Sequence, residues 1–128
     1  NGRKRSGWIL DSVLKRHRPD LSPVERLSEA QSLLEEVGLS AADLRKRPKT
    51  FSGGQRQRIG IARALAAAPE VLICDESVSA LDVSVQSQVL NVLNGIKKNR
   101  GLSMIFISHD PDVIRYMCDR IVELSPVD

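Results

Sequence analysis

Along the first half of the chain apolar residues recur at helical intervals, and in the second half they gather into short unbroken runs. Ile9, Leu10, Val13 and Leu14 predict a short amphipathic helix that Pro19 must close. Ser22-Pro23-Val24-Glu25 then combines an N-cap serine, a first-turn proline and a capping-box glutamate. Val24, Leu27, Ala30, Leu34 and Val37 follow as one apolar stripe, and Gly38 is expected to stop the helix. Ser40 to Asp43 repeats the cap pattern for a shorter turn that ends before Pro48. Ser52 is expected to cap a third segment with Ile59, Ala62 and Ala66 on one face, closed by Pro69.

The period then changes. Val71-Leu72-Ile73-Cys74 has the length and continuity of a parallel strand covered on both faces. Asp82 is placed to cap a helix carrying Val85, Val89, Val92, Leu93 and Ile96, with Gly101 at its end. Ser103 to Ile107 reads as a second buried strand, Asp112 to Cys118 as a short helix, and Ile121 to Leu124 as a last strand. Strand, helix and strand in this order predict a βαβ unit. In an open α/β sheet ligands gather outside the carboxyl ends of the strands. The first strand is followed by Asp75 and Glu76, the second by Ser108, His109 and Asp110. Parallel strands would bring both groups to one edge. Either group alone could be a solvated cap; together they make a candidate site.

Composition narrows the choice. At 128 residues the chain can enclose one modest core, and its 27% of charged residues is ordinary for a globular domain. No stretch approaches the roughly 18 consecutive apolar residues of a membrane span, and no signal peptide is recognised. Asn1 in place of a methionine suggests a fragment. Cys74 and Cys118 have no metal or redox spacing and read as thiols of a reducing compartment. The net charge is +3, with basic runs at Arg3–Arg5, Lys15–Arg18 and Arg45–Arg47. Such runs can mark a nucleic-acid footprint, but Trp8, Phe51, Phe106 and Tyr116 are too few for a base-stacking platform. Solvated faces are the plainer reading, and no nucleic acid is expected as a partner.

Ser52-Gly53-Gly54-Gln55 opens a predicted helix, where free N–H groups and a partial positive charge favour an anion. Glycines there let a phosphate approach the backbone closely, although a Ser-Gly-Gly is also a common flexible turn. Arg56 and Arg58 add positive charge nearby, or are simply solvated.

Here the residues reach a family. Phe51-Ser52-Gly53-Gly54-Gln55-Arg56-Gln57-Arg58 resembles the signature motif of ABC ATPases, with phenylalanine where leucine is commoner. Val71 to Glu76 resembles the Walker B pattern of four apolar residues followed by Asp-Glu. Ser79-Ala80-Leu81-Asp82 is similar to the D-loop, and Ser108-His109-Asp110 to the switch-histidine loop. The resemblance is strong from Pro48 to Leu124 and loose before it. Asp82 to Gln86 is most similar to the oligopeptide and dipeptide importer branch.

The resemblance implies an α/β fold, a partial RecA-like ABC ATPase core of parallel strands and crossover helices, plus a helical subdomain. Residues 1–68 would be that subdomain and residues 69–128 the C-terminal half of the core. It implies ATP and Mg²⁺ as cofactors, Asp75 holding Mg²⁺ through water, and Glu76 as general base. His109 would contact the γ-phosphate. Ser52, Gly53, Gly54 and Gln55 would face the nucleotide of an opposing subunit, and Asp82 would join the contacts across that interface. The implied partners are a second ABC ATPase subunit (identical or not), membrane permease subunits and, indirectly, a solute-binding protein, at the cytoplasmic face of the cell membrane. Import of a solute would be the work done, a peptide for this branch, although its relatives also move nickel and other small solutes, so the cargo stays open. The alternative is an ABC-type ATPase head of a DNA repair or chromosome-maintenance protein, although neither heptads nor a cysteine set supports one. A third is a non-catalytic pairing domain, which Glu76 and His109 argue against.

The departures matter too. No glycine is followed by lysine, so the phosphate-binding loop Gly-x-x-x-x-Gly-Lys-Ser/Thr is absent from these residues. The Q-loop glutamine is not found either, Gln31 lying mid-helix. Ser77-Val78 replaces the commoner Pro-Thr, and Pro111 stands where an apolar residue is usual. In the resembled fold the phosphate-loop strand would lie between Ser103–Ile107 and Ile121–Leu124, so a gap is expected there.

Overall fold

The computed structural model describes residues 4–75 and 81–125. Three helices come first: α1 (Ser6–His17), α2 (Pro23–Glu36) and α3 (Gly53–Ala66). Short 3-10 turns at Ala41–Arg45 and Pro48–Thr50 join the last two. Then come β1 (Val71–Asp75), α4 (Val83–Arg100), β2 (Ser103–Ile107) and α5 (Pro111–Met117).

Local signals set the helix ends. The Ser22 N–H donates to the Glu25 carboxylate at 2.9 Å and the Glu25 N–H to the Ser22 hydroxyl at 3.2 Å, a complete capping box with Pro23 in the first turn. At the other end Gly38 takes a φ of +79°, with Gly38 N–H on the Glu35 carbonyl and Leu39 N–H on the Leu34 carbonyl. That pair of bonds is the Schellman stop, which needs a residue tolerant of the left-handed region. At Ser40 the backbone N–H and hydroxyl both donate to Asp43. The Ser40 N–H, and after it the Lys46 ammonium, hold the Asp43 carboxyl below the ordinary aspartate range. Its contribution to stability is therefore present above that range and lost as pH falls through the lowered value.

Leu10 and Leu14 of α1, Ala30, Leu33 and Leu34 of α2 and Val37 just after it are buried, as are Ile59, Ile61, Ala62, Leu65 and Ala66 of α3. The α2 stripe is shorter than its sequence suggests, because Val24 and Leu27 are exposed. That end of α2 meets α1 through a polar contact, Arg26 Nε to Asp11 Oδ1 at 2.8 Å, which leaves the apolar residues flanking it in solvent.

β1 and β2 are parallel, with Val71 opposite Ser103 and Asp75 opposite Ile107. α4 connects them and ends at Gly101, whose φ of +62° turns the chain into β2. Leu72 and Cys74 enter a core shared with Val89, Leu93 and Ile96 of α4 and Val113 and Met117 of α5. Burial pushes the Cys74 thiol up to about 11, so it is an inert apolar filler.

Two expectations fail here. The strands are not covered on both faces: Val71, Ile73, Ile105 and Ile107 are exposed, because the described residues supply a helical layer on one side only. Nor is Ile121–Leu124 a strand, since among the described residues no neighbouring strand offers it a ladder and it runs as exposed irregular chain. Val122 and Leu124 instead border a groove of about 550 Å³, whose opposite wall is β2 from Ser103 to Ile107. No helix among the described residues is long and apolar enough to cross a membrane.

One ion pair ties the end of α2 to the end of α4. Arg100 Nε and Nη2 donate to the two Glu36 carboxylate oxygens at 2.6 and 2.8 Å, with both side chains about three-quarters buried. That contact, first among its causes, raises the Arg100 pKa further. Glu36→Gln should cost about 1 kcal/mol, the yield of a charge-assisted pair partly screened by water. Chemical denaturation of Glu36→Gln, Arg100→Gln and the double variant should return a coupling of that size, and simple additivity would show that the pair contributes nothing.

Candidate functional site

The register places the candidate residues. Because Asp75 stands opposite Ile107, whatever follows β1 and whatever follows β2 leave the sheet on the same edge. Asp75 is exposed at that edge, and His109 is exposed in the turn after β2. Glu76 lies outside the described residues, as do Ser79 and Ala80 of the D-loop. The turn that carries His109 is tightly bonded. The Asp110 N–H donates to the Ser108 hydroxyl at 3.0 Å, and the Asp112 N–H to the Asp110 carboxylate at 2.9 Å. Asp110 is thus the N-cap of α5, with Pro111 as the first helical residue, so that proline starts the helix without distorting it.

The signature segment forms a second grouping, at the start of α3. The Ser52 hydroxyl accepts from the Gln55 N–H at 3.2 Å, and the Gln55 side chain accepts from the Ser52 N–H at 3.0 Å. Both polar side chains therefore engage each other in a capping box. The N–H groups of Gly53 and Gly54 are the first two of the helix and have no intrahelical acceptor. Gly53 is exposed and Gly54 buried.

Gly54 carries a constraint that the sequence did not disclose. A Cβ there would collide with a Cγ methyl of Val85 in α4, and one at Gly53 would come within 3.3 Å of Leu81. The second glycine is therefore needed for the close approach of α3 to α4, whatever else it permits. The contact also sets the signature segment beside Leu81 and the start of α4. Asp82 stands at that start, exposed, in the N-cap position without a side-chain cap bond. A glycine at the second position of a helix was the available signal, but its partner could not be read from one sequence.

Arg58 changes role. Its guanidinium reaches the carbonyls of Gly54 and Gly38, both at 3.4 Å, and so joins α3 to the end of α2. It is not aimed at an anion.

A divalent cation at the sheet edge would meet one carboxylate of β1, Asp75. Among the described residues no group of three or more histidine, cysteine or acidic side chains could enclose a metal, and Asp75 is a single exposed carboxylate. An Mg²⁺ ion there would have to draw its other ligands from water and substrate phosphates, a coordination that ion commonly adopts.

A parallel strand–helix–strand unit whose polar residues gather beyond the carboxyl ends of its strands defines an α/β domain of the ligand-binding kind. Residues 3–79 match the family model described as ABC transporter, and the chain belongs to that family. It is 48% identical over 122 residues to the oligopeptide transport ATP-binding protein OppF of Haemophilus influenzae, covering 95% of this chain and 37% of that one. It is 45% identical over 136 residues to OppF of Bacillus subtilis, covering all of this chain and 45% of the relative. With AmiF of Streptococcus pneumoniae, another oligopeptide transport ATP-binding protein, it shares 49% over 121 residues, 94% of this chain and 39% of the relative. The chain thus spans less than half the length of these relatives. Among solved structures, an ATP-binding cassette dimer in a post-hydrolysis state with ADP and Pi superposes with a TM-score of 0.75 at 26% identity, over 91% of this chain and 51% of that one.

Proposed function

We propose that this chain is the signature and Walker B portion of an ATPase subunit that drives oligopeptide import. The observation that carries the reading is the shared sheet edge, where the register sets Asp75 and the His109 turn together in a chain of the ABC transporter family. The names of the relatives favour peptide transport over a DNA-repair head. In this reading residues 1–68 form the helical subdomain and residues 69–128 half of the nucleotide-binding core.

Asp75 would hold Mg²⁺ through its water shell, and the ion would neutralise phosphate charge during in-line displacement. Glu76 takes the proton of the attacking water as general base, while His109 donates a hydrogen bond to the terminal phosphate. Gly53 and Gly54 offer backbone N–H groups to the nucleotide of an opposing subunit. Ser52 and Gln55 join them by exchanging their mutual cap bonds for the phosphate. Asp82 contacts the opposing subunit beside them. Two such sites form when two subunits close face to face, and permease subunits hold the pair at the cytoplasmic face of the membrane, served by a solute-binding protein. The dimeric cassettes among the similar structures support this assembly.

Glu76→Gln in the full-length protein tests the base. Turnover should fall about 10²–10⁴-fold, the usual contribution of a positioned base, while ATP binding persists because the phosphate contacts remain. Turnover at the wild-type rate would remove Glu76 from that role.

A further inference from the structure

Two basic runs far apart in the sequence meet in the fold. The Ser6 N–H and hydroxyl both donate to the Lys46 carbonyl at 2.9 Å. Gly7 lies so close to Leu44 that a Cβ there would stand 3.0 Å from its carbonyl oxygen. The start of α1 is thereby fastened to the end of the 3-10 turn Ala41–Arg45. Those contacts bring Lys4 and Arg5, next to Ser6, beside the run Arg45–Arg47 around Lys46, and these five residues and Lys49 are all exposed. The acid among them, Asp43, is buried and already bonded to Ser40 and, at 2.9 Å, to Lys46. Lys4, Arg5, Arg45, Arg47 and Lys49 make no ion pair among the described residues. One turn into α1 stands Trp8, 52% exposed, with Lys4 Nζ 4.7 Å above its ring.

We propose that this surface binds the anionic headgroups of a lipid bilayer, with Trp8 entering the interfacial layer and the cations lying against the headgroups. An indole has an apolar body and one N–H, which suits the boundary between headgroup and hydrocarbon. Each lysine or arginine near an anionic leaflet strengthens binding about fivefold, and the effect dies away within a Debye length. A nucleic acid would use the same cations but needs several aromatic faces for its bases, and this surface exposes Trp8 alone among the described residues. The basic run Lys15–Arg18 lies toward the other end of α1, beginning roughly 10 Å along the helix from Trp8. The surface uses none of the residues assigned to nucleotide, so its failure would leave the ATPase reading untouched.

Trp8 is the chain's sole tryptophan and reports on its own insertion. The purified chain is mixed with phosphatidylcholine vesicles, with and without phosphatidylserine, and followed by cosedimentation and tryptophan emission. Binding and a blue shift are expected with phosphatidylserine vesicles at low ionic strength, both reversed by salt. Arg45→Gln with Arg47→Gln should weaken that binding roughly 25-fold. Lys15→Gln with Arg16→Gln should leave it unchanged, with circular dichroism confirming that both variants fold. Equal binding to neutral vesicles, an unshifted emission, or duplex DNA binding without vesicle binding would each overturn the proposal. The salt and lipid dependence of the wild-type chain decides the matter even if a variant fails to fold.

Discussion

Aspartate at Gly54 should destabilise the chain by about 3 kcal/mol, the combined effect of overpacking and of burying a carboxylate without a partner. The sequence alone suggests a different outcome, in which a carboxylate repels the phosphate of an opposing subunit and the fold is spared. The structure puts the Val85 methyl in the way first. α3 and α4 must separate before any question of phosphate arises. Gly60 is the internal comparison, being in the same helix, exposed, and with nothing within 4 Å of the place a Cβ would take. Gly60→Ala should stabilise by about 0.5–1 kcal/mol, because alanine restricts the unfolded chain and favours the helix. Thermal or urea melts of the two variants should therefore move in opposite directions. A Gly54→Asp melt coinciding with wild type would mean that α3 does not press on α4, and the phosphate reading of that glycine would stand alone.

What could be read from the sequence was what short-range chemistry decides. The Ser22 box, the Ser52 cap and the Gly38 and Gly101 stops are each fixed within a few residues, and each forms as its pattern suggests, whereas the last helix starts at Pro111, one residue before the Asp112 expected. That Asp75 and the His109 turn leave the sheet on the same edge also followed from reading the two strands as parallel. Long-range partners were not legible. An apolar run such as Val71–Cys74 states that both faces can be covered, yet says nothing of what covers them, and Val71 and Ile73 remain exposed. Ile121–Leu124 has strand-like residues but, among the described residues, no ladder to join. Arg58 reads from the sequence as charge near an anion or as a solvated residue, and neither reading includes its two carbonyl partners. Gly54 is the sharpest case, since steric exclusion by Val85 leaves no trace in local pattern.

That these residues hold one part of a shared ATP site is tested most directly by phosphate release from Mg²⁺-ATP with the purified chain, wild type beside Glu76→Gln. Phosphoryl transfer relies on positioning and charge neutralisation, and these residues contain no phosphate-binding loop to supply the backbone cradle and lysine. In the proposed reading, Asp75, Glu76 and His109 alone would present two carboxylates to a polyanion. Losing a single oxyanion donor already costs about 10²–10³ in rate, and here a whole set is lacking. Release at background from both proteins is the expected result. Turnover by the chain alone that disappears in Glu76→Gln would contradict it, and would mean that these residues build a complete site by themselves.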